Sequence, residues 1–265
     1  MPISVPLALT IAGSDCSAGA GLQADLKTFQ HFGVFGLTAV TCVVAETPQV
    51  VRSVHPVPPI ILQDQLRVLL EAYPVAAIKT GMLFSKAHIV AVSEILREYP
   101  GIPVVVDPVM VASTGDPLVE ENAIAAYRER LFPLATVITP NLDEAEVLWG
   151  EAVWDEAAME RAARDLTSRY GCAVLVKGGH LGVGDCSDFL LERGEGTWLR
   201  APRIATSASH GTGCTLSAAM AAGLALGRNL GESVAGAKAY LGRTLEESLA
   251  WGGLAMLNQG TTFRE

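Results

Sequence analysis

Short runs of apolar, β-branched residues alternate with longer amphipathic stretches along most of this chain. The apolar runs predict strands at residues 7–12, 36–45, 75–79, 103–107, 136–140 and 173–177. The stretches between them, with apolar residues at helical spacing, predict helices at 21–33, 59–73, 85–99, 120–131, 142–149 and 156–170. Strands that are apolar on both faces and alternate with helices indicate a mainly parallel sheet covered by helices on both sides.

The last third of the chain changes pattern. Residues 187–193 and 196–202 predict a hairpin, and two further helices are predicted at 213–226 and 231–250. The 265 residues are half apolar, with a mean hydropathy of +0.34, which is enough for a large buried core. Without a linker, repeat or low-complexity stretch in the sequence, residues 1–265 are interpreted as one α/β domain.

Charge and cysteine content narrow the function classes. The net charge is −9 and no run of Lys or Arg occurs, so nucleic-acid binding has little support. The N-terminus lacks the features of a signal peptide, and the most apolar helix candidate, at 213–227, is interrupted by glycines and is interpreted as buried rather than membrane-spanning. Five cysteines without a C-x-x-C pair favour a reducing, cytoplasmic setting without disulfides or zinc.

Polar or glycine residues follow six of the predicted strands. Because the carboxyl ends of parallel strands meet at one edge of a sheet, the ligand cleft is expected there. The residues at these strand ends are Gly13-Ser14-Asp15, Glu46, Lys79-Thr80-Gly81-Met82, Asp107-Pro108, Thr139-Pro140-Asn141 and Lys177-Gly178-Gly179-His180.

A glycine-rich turn, Ser209–Thr215, runs directly into the apolar helix candidate. The unpaired N–H groups and positive dipole end of such a helix favour an anion, most simply a phosphate, and the Cys214 thiol lies at the mouth of this pocket. Phosphoryl transfer needs such a cradle, here Gly211, Thr212, Gly213 and Cys214, together with a cation and a carboxylate-held metal. Lys177 is the candidate cation.

Two carboxylates, Asp107 and Glu144, are the candidate ligands for Mg²⁺, directly or through water. Simpler roles remain open for each part of this site. The glycine turn could merely precede a packed helix, Asp107 could cap a turn, and Glu144 could be an acidic first-turn residue of its helix.

These segments resemble one family. Gly13–Asp15 with Gly19–Thr28, Lys79–Met82, Asp107–Met110, Thr139–Ala145, Lys177–His180 and His210–Thr215 are similar, in order, to the motifs of hydroxymethylpyrimidine/phosphomethylpyrimidine kinases of thiamine biosynthesis, within the ribokinase-like superfamily. The resemblance implies a single-domain three-layer sandwich with a central, mostly parallel sheet. It also implies ATP-dependent phosphorylation of 4-amino-5-hydroxymethyl-2-methylpyrimidine, then of its monophosphate, with Mg²⁺, in a homodimer.

The resemblance also assigns residues to the two substrates. Around the pyrimidine it places Gly13, Asp25, Val44, Glu46, Met82 and Val109. Against the ATP phosphates it places Asn141, Lys177, Gly211 and Gly213, and the catalytic group comprises Lys177 and the loop Gly211–Cys214. Residues 251–258 depart from the Gly-His-Gly segment with which many members end, which leaves the role of that segment open.

Two positions invite physical comment. Most ribokinase-like kinases carry an aspartate where this chain has Cys214, and a thiol at a helix N-terminus is expected to be partly thiolate, so Cys214 is hypothesised to accept or align the hydroxyl proton. Glu46 stands where many members have glutamine. A carboxylate only accepts hydrogen bonds, so either Glu46 or the pyrimidine ring must be protonated in the complex.

Three other functions remain as alternatives. A pyridoxal/pyridoxine kinase of the same superfamily would share most of the motifs. A non-catalytic pyrimidine-binding protein would need the pocket but not Lys177, Asp107 and the phosphate loop. A dinucleotide-dependent dehydrogenase is disfavoured because the glycines near residues 13–21 lack the dinucleotide-binding spacing.

Overall fold

A nine-stranded sheet forms the centre of the computed structural model, which describes residues 4–110, 121–179, 181 and 185–260. Its strand order is β3-β2-β1-β4-β5-β6-β7-β8-β9, and the six strands from β2 to β7 in that order are mutually parallel. The strands are β1 (Leu7–Asp15), β2 (Phe35–Thr47), β3 (Val50–Pro56), β4 (Val75–Thr80), β5 (Val104–Val106), β6 (Val137–Ile138), β7 (Ala173–Lys177), β8 (Cys186–Glu192) and β9 (Glu195–Ala201). The predicted parallel sheet is confirmed.

Helices cover both faces of this sheet. They are α1 (Gly21–His31), α2 (Pro59–Ala72), α3 (Lys86–Leu96), α4 (Glu121–Ala126), α5 (Leu142–Trp149), α6 (Glu156–Tyr170), α7 (Thr212–Ala225) and α8 (Leu230–Glu246). Alternate strand residues point to opposite faces, so Val104 and Val106 join a core with α2 to α6, whereas Val105 joins a second core with α1, α7 and α8. This is the expected three-layer sandwich.

The α7 helix is buried on nearly all sides, which explains its small residues. Gly223 lies where α7 contacts α8, and a Cβ atom there would lie 2.7 Å from Ser233 Oγ. Ten residues of α7 are buried, and most of them are small, so the helix packs closely against its neighbours. Among the residues that the structure describes, no helix is both long and apolar enough to cross a bilayer.

Three parts of the fold differ from the sequence-based prediction. β3 was not predicted, and it pairs antiparallel with β2. The last helix, predicted to reach residue 250, ends at Glu246, and the chain continues as a small hairpin of β10 (Leu249–Trp251) and β11 (Leu254–Met256). The helix predicted at 120–131 is α4 followed by one π-helical turn, Tyr127–Leu131, while residue 120 and His180 lie outside the described residues.

Candidate active site

A cavity of about 460 Å³ opens at the carboxyl edge of the parallel strands. Its walls come from the ends of β1, β2, β4, β5, β6 and β7 and from the start of α7, as the strand-end pattern predicts. Of the fourteen residues predicted for the site, thirteen line this cavity: Gly13, Val44, Glu46, Met82, Asp107, Val109, Asn141, Glu144, Lys177, Gly211, Thr212, Gly213 and Cys214.

The glycine-rich turn brings two loops into close contact. Gly211 precedes α7 with φ of +81°, in the left-handed region that favours glycine. A Cβ atom on Gly211 would lie 2.0 Å from the carbonyl oxygen of Gly19. Gly211 has no side chain to cap the helix. The N–H of Thr212 donates to the Ser209 carbonyl oxygen, and those of Gly213 and Cys214 remain available to a ligand at the cavity wall.

Asp15 ties the same two loops together, although it was not among the predicted site residues. Its buried carboxylate accepts hydrogen bonds from the backbone N–H groups of Ser17, Gly19 and Ala20 and lies 2.9 Å from His210 Nε2. Burial alone would raise the pKa of Asp15, but these hydrogen bonds outweigh burial and lower it to about 2. In the sequence, the position of Asp15 in the Gly13-Ser14-Asp15 motif was the feature that could have indicated its place in the site.

The C-terminal segment stabilises the contact between these two loops. Gln259 is buried, and its Nε2 donates to the Gly19 carbonyl oxygen at 2.9 Å and to Thr215 Oγ1 at 3.1 Å. The Tyr240 hydroxyl donates to the backbone carbonyl of Gln259. The end of the described chain, which departs from the family pattern, therefore holds the loop that contacts Gly211.

Lys177 and two carboxylates form a charged cluster directly beside the start of α7, because a Cβ atom on Gly213 would lie 3.3 Å from both Lys177 Nζ and Asp107 Oδ2. Lys177 Nζ lies 2.9 Å from Asp107 Oδ1 and 4.0 Å from Glu144 Oε2. Thr139 Oγ1 and Ser217 Oγ also donate to Asp107, at 3.2 and 3.3 Å. Burial opposes the charge on Asp107, but the charges of Lys177 and Lys79, together with the hydrogen bonds from Lys177 and Thr139, outweigh burial and lower the pKa of Asp107.

Glu144 combines a structural and an electrostatic role. It forms a capping box with Asn141 at the start of α5, where each side chain accepts from the other residue's backbone N–H at 2.8 Å. Burial, reinforced by the neighbouring Asp107 charge, raises the pKa of Glu144 to about 7 despite Lys177. The first-turn role left open by the sequence is therefore real, and it coexists with a position on the cavity wall.

Cys214 lies on the cavity wall as expected, but its protonation state differs from the expectation. Burial raises the pKa of the Cys214 thiol to about 11, even though the Lys79 ammonium acts to lower it. The prediction that the thiol is partly thiolate because it begins a helix is wrong for this structure, since the loss of solvation outweighs the helix terminus. At neutral pH the group is a thiol.

Glu46 lies at the apolar end of the cavity, near Val44 and Met82. Burial, together with the negative charge of Asp15, raises the pKa of Glu46 from its usual value. The unpredicted strand β3 adds Val50, Val51 and Val54 to this wall. A raised pKa is the condition under which Glu46 can carry the proton that an aminopyrimidine complex requires.

Asp25 is the predicted site residue that does not line the cavity. Its side chain is fully buried below it, where both carboxylate oxygens accept from Lys79 Nζ at 2.8 and 2.9 Å and one accepts from Thr10 Oγ1 at 2.5 Å. The expectation of contact with the pyrimidine is therefore corrected for this structure. The sequence showed no sign that Lys79, 54 residues further along the chain, would contact this carboxylate.

An anion cradle with a lysine and two carboxylates beside it, on a cavity that also has an apolar wall, is the arrangement expected of a small-molecule phosphotransferase. A family model described as "Phosphomethylpyrimidine kinase" matches residues 15–258. The chain belongs to that family.

Individual proteins agree with this assignment. The "Hydroxymethylpyrimidine/phosphomethylpyrimidine kinase" of Rhizobium meliloti is 47% identical over 236 residues, which is 89% of this chain and 88% of that protein. The "Thiamine biosynthesis bifunctional protein ThiED" of Geobacter sulfurreducens is 46% identical over 233 residues, or 88% of this chain. The chain spans only 48% of the length of that bifunctional relative.

Solved structures share the fold over nearly the whole chain. Bacillus subtilis pyridoxal kinase in an ADP complex superposes with a TM-score of 0.90 at 37% identity, covering 97% of this chain and 98% of that one. The phosphomethylpyrimidine kinase of Clostridium difficile 630 superposes with a TM-score of 0.81 at 35% identity, covering 90% of this chain and 98% of that one.

Proposed function

We propose that this chain transfers the γ-phosphoryl group of ATP to 4-amino-5-hydroxymethyl-2-methylpyrimidine and then phosphorylates the resulting monophosphate to the diphosphate. The observation that carries the proposal is the convergence of the cradle Gly211–Cys214, the Lys177 cluster and the Glu46 pocket on one cavity. Membership in the phosphomethylpyrimidine kinase family supports the choice of substrate.

The two ends of the cavity have different functions. The N–H groups at the start of α7 and the Lys177 ammonium bind the phosphates and stabilise the charge that spreads over the migrating phosphoryl group. Val44, Met82 and Val109 bind the apolar face of the pyrimidine, while Glu46 recognises its amino group and ring nitrogen. The acceptor hydroxyl then lies beside Cys214, whose thiol aligns it as the new P–O bond forms.

Asp107 and Glu144 are the residues that would hold Mg²⁺. Their oxygens already accept hydrogen bonds from protein donors, and among the described residues no group of three or more His, Cys, Asp or Glu side chains is arranged to bind a metal ion. Mg²⁺ would therefore contact Asp107 and Glu144 through bound water, since the ion keeps several waters when it binds with nucleotide phosphates. When bound, the ion supplies charge neutralisation to the phosphates.

A direct assay tests the proposed activity. Purified protein is mixed with ATP, Mg²⁺ and the hydroxymethylpyrimidine, and mass spectrometry follows the products over time. The proposal requires the monophosphate to appear first and the diphosphate later. If tight pyrimidine binding is measured without any phosphorylated product, the chain is a pyrimidine-binding protein and the proposal is wrong.

A second candidate activity is phosphorylation of pyridoxal. The specific observation in its favour is the TM-score of 0.90 to the pyridoxal kinase of Bacillus subtilis, above that to the solved phosphomethylpyrimidine kinase described here. The two activities are separated by kcat/KM measured on each substrate with the same preparation. A value for pyridoxal that exceeds the value for the pyrimidine would make pyridoxal the principal substrate.

Two expectations from the sequence analysis stay predictions. A homodimer is one, and light scattering of the purified protein during size-exclusion chromatography tests it directly. A cytoplasmic location is the other, and it is checked by fractionating cells that express the full-length protein.

A further inference from the structure

The segment after β11 carries a buried glutamine that contacts two separate parts of the chain. Gln259 is 1% exposed, and its Nε2 donates to the Gly19 carbonyl oxygen at 2.9 Å and to Thr215 Oγ1 at 3.1 Å. Because a carbonyl oxygen only accepts hydrogen bonds, the NH2 end of the amide must face Gly19. Residues 251–258, which depart from the family pattern, lead directly into this glutamine.

The two residues that accept from this amide both contact Gly211, the residue before α7. The Gly19 carbonyl oxygen is the atom that would lie 2.0 Å from a Cβ atom on Gly211. On the other side, the Thr215 N–H donates to the Gly211 carbonyl oxygen at 2.9 Å, in the first turn of the helix. The Gln259 amide therefore joins the two pieces of chain between which Gly211 lies.

The peptide group between Gly19 and Ala20 is fixed at both of its polar ends. Its carbonyl oxygen accepts from Gln259, and its N–H, which belongs to Ala20, donates to Asp15 Oδ2 at 2.8 Å. Since a peptide group is planar, hydrogen bonds at its two ends define its orientation. Ala20 also lines the cavity, so the orientation of this peptide affects the cavity wall as well as the contact with Gly211.

Side-chain packing confines Gly19 as well. A Cβ atom on Gly19 would lie 2.7 Å from Met256 Cε and 2.8 Å from His210 Cδ2. His210 belongs to the glycine-rich turn, and its Nε2 lies 2.9 Å from Asp15 Oδ2. The C-terminal segment thus contacts Gly19 twice, through the packing of Met256 and through the Gln259 amide.

We propose that Gln259 is a positioning residue of the phosphate cradle: its amide holds the Gly19 carbonyl and the first turn of α7 at a fixed separation. The direction of the Gly213 and Cys214 N–H groups depends on that separation, because both residues lie in this turn. That these N–H groups bind the phosphates of ATP rests on the proposed function. Gln259 itself lies behind the cavity wall, and it acts on a ligand only through the cradle.

Equilibrium binding of two ligands tests this role without turnover. Gln259→Met keeps an unbranched side chain but removes the amide, and calorimetry measures the Kd of a non-hydrolysable ATP analogue with Mg²⁺ and, separately, the Kd of the hydroxymethylpyrimidine. The analogue should bind about tenfold more weakly, because a misaligned N–H group loses much of its hydrogen bond to a charged phosphate oxygen.

Affinity for the pyrimidine should stay within about twofold, because the Gln259 side chain donates to the loop after β1 and to α7, whereas Glu46 and Met82 follow from β2 and β4. This split between the two ligands separates positioning from a general loss of structure. A partly unfolded preparation would lower the number of binding sites for both ligands and leave both Kd values unchanged.

Tyr240→Phe is the matched control. The Tyr240 hydroxyl donates to the backbone carbonyl oxygen of Gln259 at 2.9 Å, so this variant removes a buried hydrogen bond from the same segment and leaves the amide in place. Both variants should lower the melting temperature, since each leaves a buried polar group without its partner, but only Gln259→Met should weaken binding of the analogue. If Gln259→Met fails to fold by circular dichroism, Gln259→Asn decides: its amide is one methylene too short to reach both acceptors, and a similar loss is expected.

Analogue affinity within about twofold of the unmodified protein, or an equal loss in Gln259→Met and Tyr240→Phe, overturns the proposal. A parallel loss of affinity for the pyrimidine and the analogue does the same. The proposed function fails on a different measurement, the absence of phosphorylated pyrimidine from the unmodified protein. A protein that binds the analogue but makes no product would refute the proposed function, and the comparison of Gln259→Met with Tyr240→Phe would still decide the role of Gln259.

Discussion

Gly211→Ala is the substitution that tests the phosphate cradle most sharply. At φ of +81°, an alanine costs roughly 1–2 kcal/mol in backbone strain. The added Cβ would also lie 2.0 Å from the Gly19 carbonyl oxygen, where ordinary contact begins at 3.4 Å, so the two loops must separate by about 1.4 Å. Displacements of about 1 Å in a catalytic site cost on the order of 100-fold in rate.

Gly227→Ala provides a matched control at the other end of the same helix. Its φ is +78°, and nothing lies within 4 Å of an added Cβ. Both variants should lower the melting temperature by roughly 2–4 °C per kcal/mol of strain. Only Gly211→Ala should lower kcat/KM for ATP about 100-fold, equivalent to about 2.7 kcal/mol of transition-state stabilisation.

Steady-state kinetics with varied ATP at saturating pyrimidine measure this difference, and thermal unfolding reports the stability of both variants. Because both glycines share the same backbone conformation, the ratio of the two kcat/KM values isolates the contact with Gly19. A Gly211→Ala enzyme within about threefold of the Gly227→Ala enzyme would refute the assignment of this loop as the cradle.

Three further predictions concern ionisable groups. Glu46→Gln should flatten the pH dependence of KM for the pyrimidine. In the unmodified enzyme, affinity for the pyrimidine should fall as pH rises through the raised pKa of Glu46, because Glu46 loses its proton. An equally steep pH profile in the variant contradicts this prediction. Asp15→Asn should lower the free energy of unfolding by about 2 kcal/mol above pH 4, because the folded state stabilises the ionised Asp15 carboxylate. The difference from the unmodified protein should disappear as pH falls towards 2, where Asp15 becomes protonated. Denaturant titrations at pH 3 and 7 measure this difference. Cys214→Ala should lower kcat by about 100-fold in stopped assays because the acceptor hydroxyl loses its alignment, and full turnover would remove this role.

The position of the site was predictable because it follows from chain topology. Once six apolar strands are interpreted as parallel, their carboxyl ends must share one edge, and residues as distant as Glu46 and Lys177 are brought to one cavity. The helices with strong periodicity and good caps were also predictable, and α5 and α6 begin and end where expected.

What the sequence could not predict depends on three-dimensional neighbours. β3 begins with exposed Val50 and Val51 and lacks a clear alternation, so its pairing with β2 leaves little pattern in the chain. The partner of Asp25 is Lys79, 54 residues away, and nothing local indicates that contact. The Cys214 thiol looked activated by its helix terminus, but only the fold reveals the burial that raises its pKa.

A crystal structure with a non-hydrolysable ATP analogue and the hydroxymethylpyrimidine is the decisive test of the phosphate cradle. The terminal phosphate should lie within about 3 Å of the backbone nitrogens at the start of α7, with the hydroxymethyl group between that phosphate and Cys214. Phosphates bound away from residues 211–214, for example in the separate cavity beside Trp154 and Arg200, would contradict it.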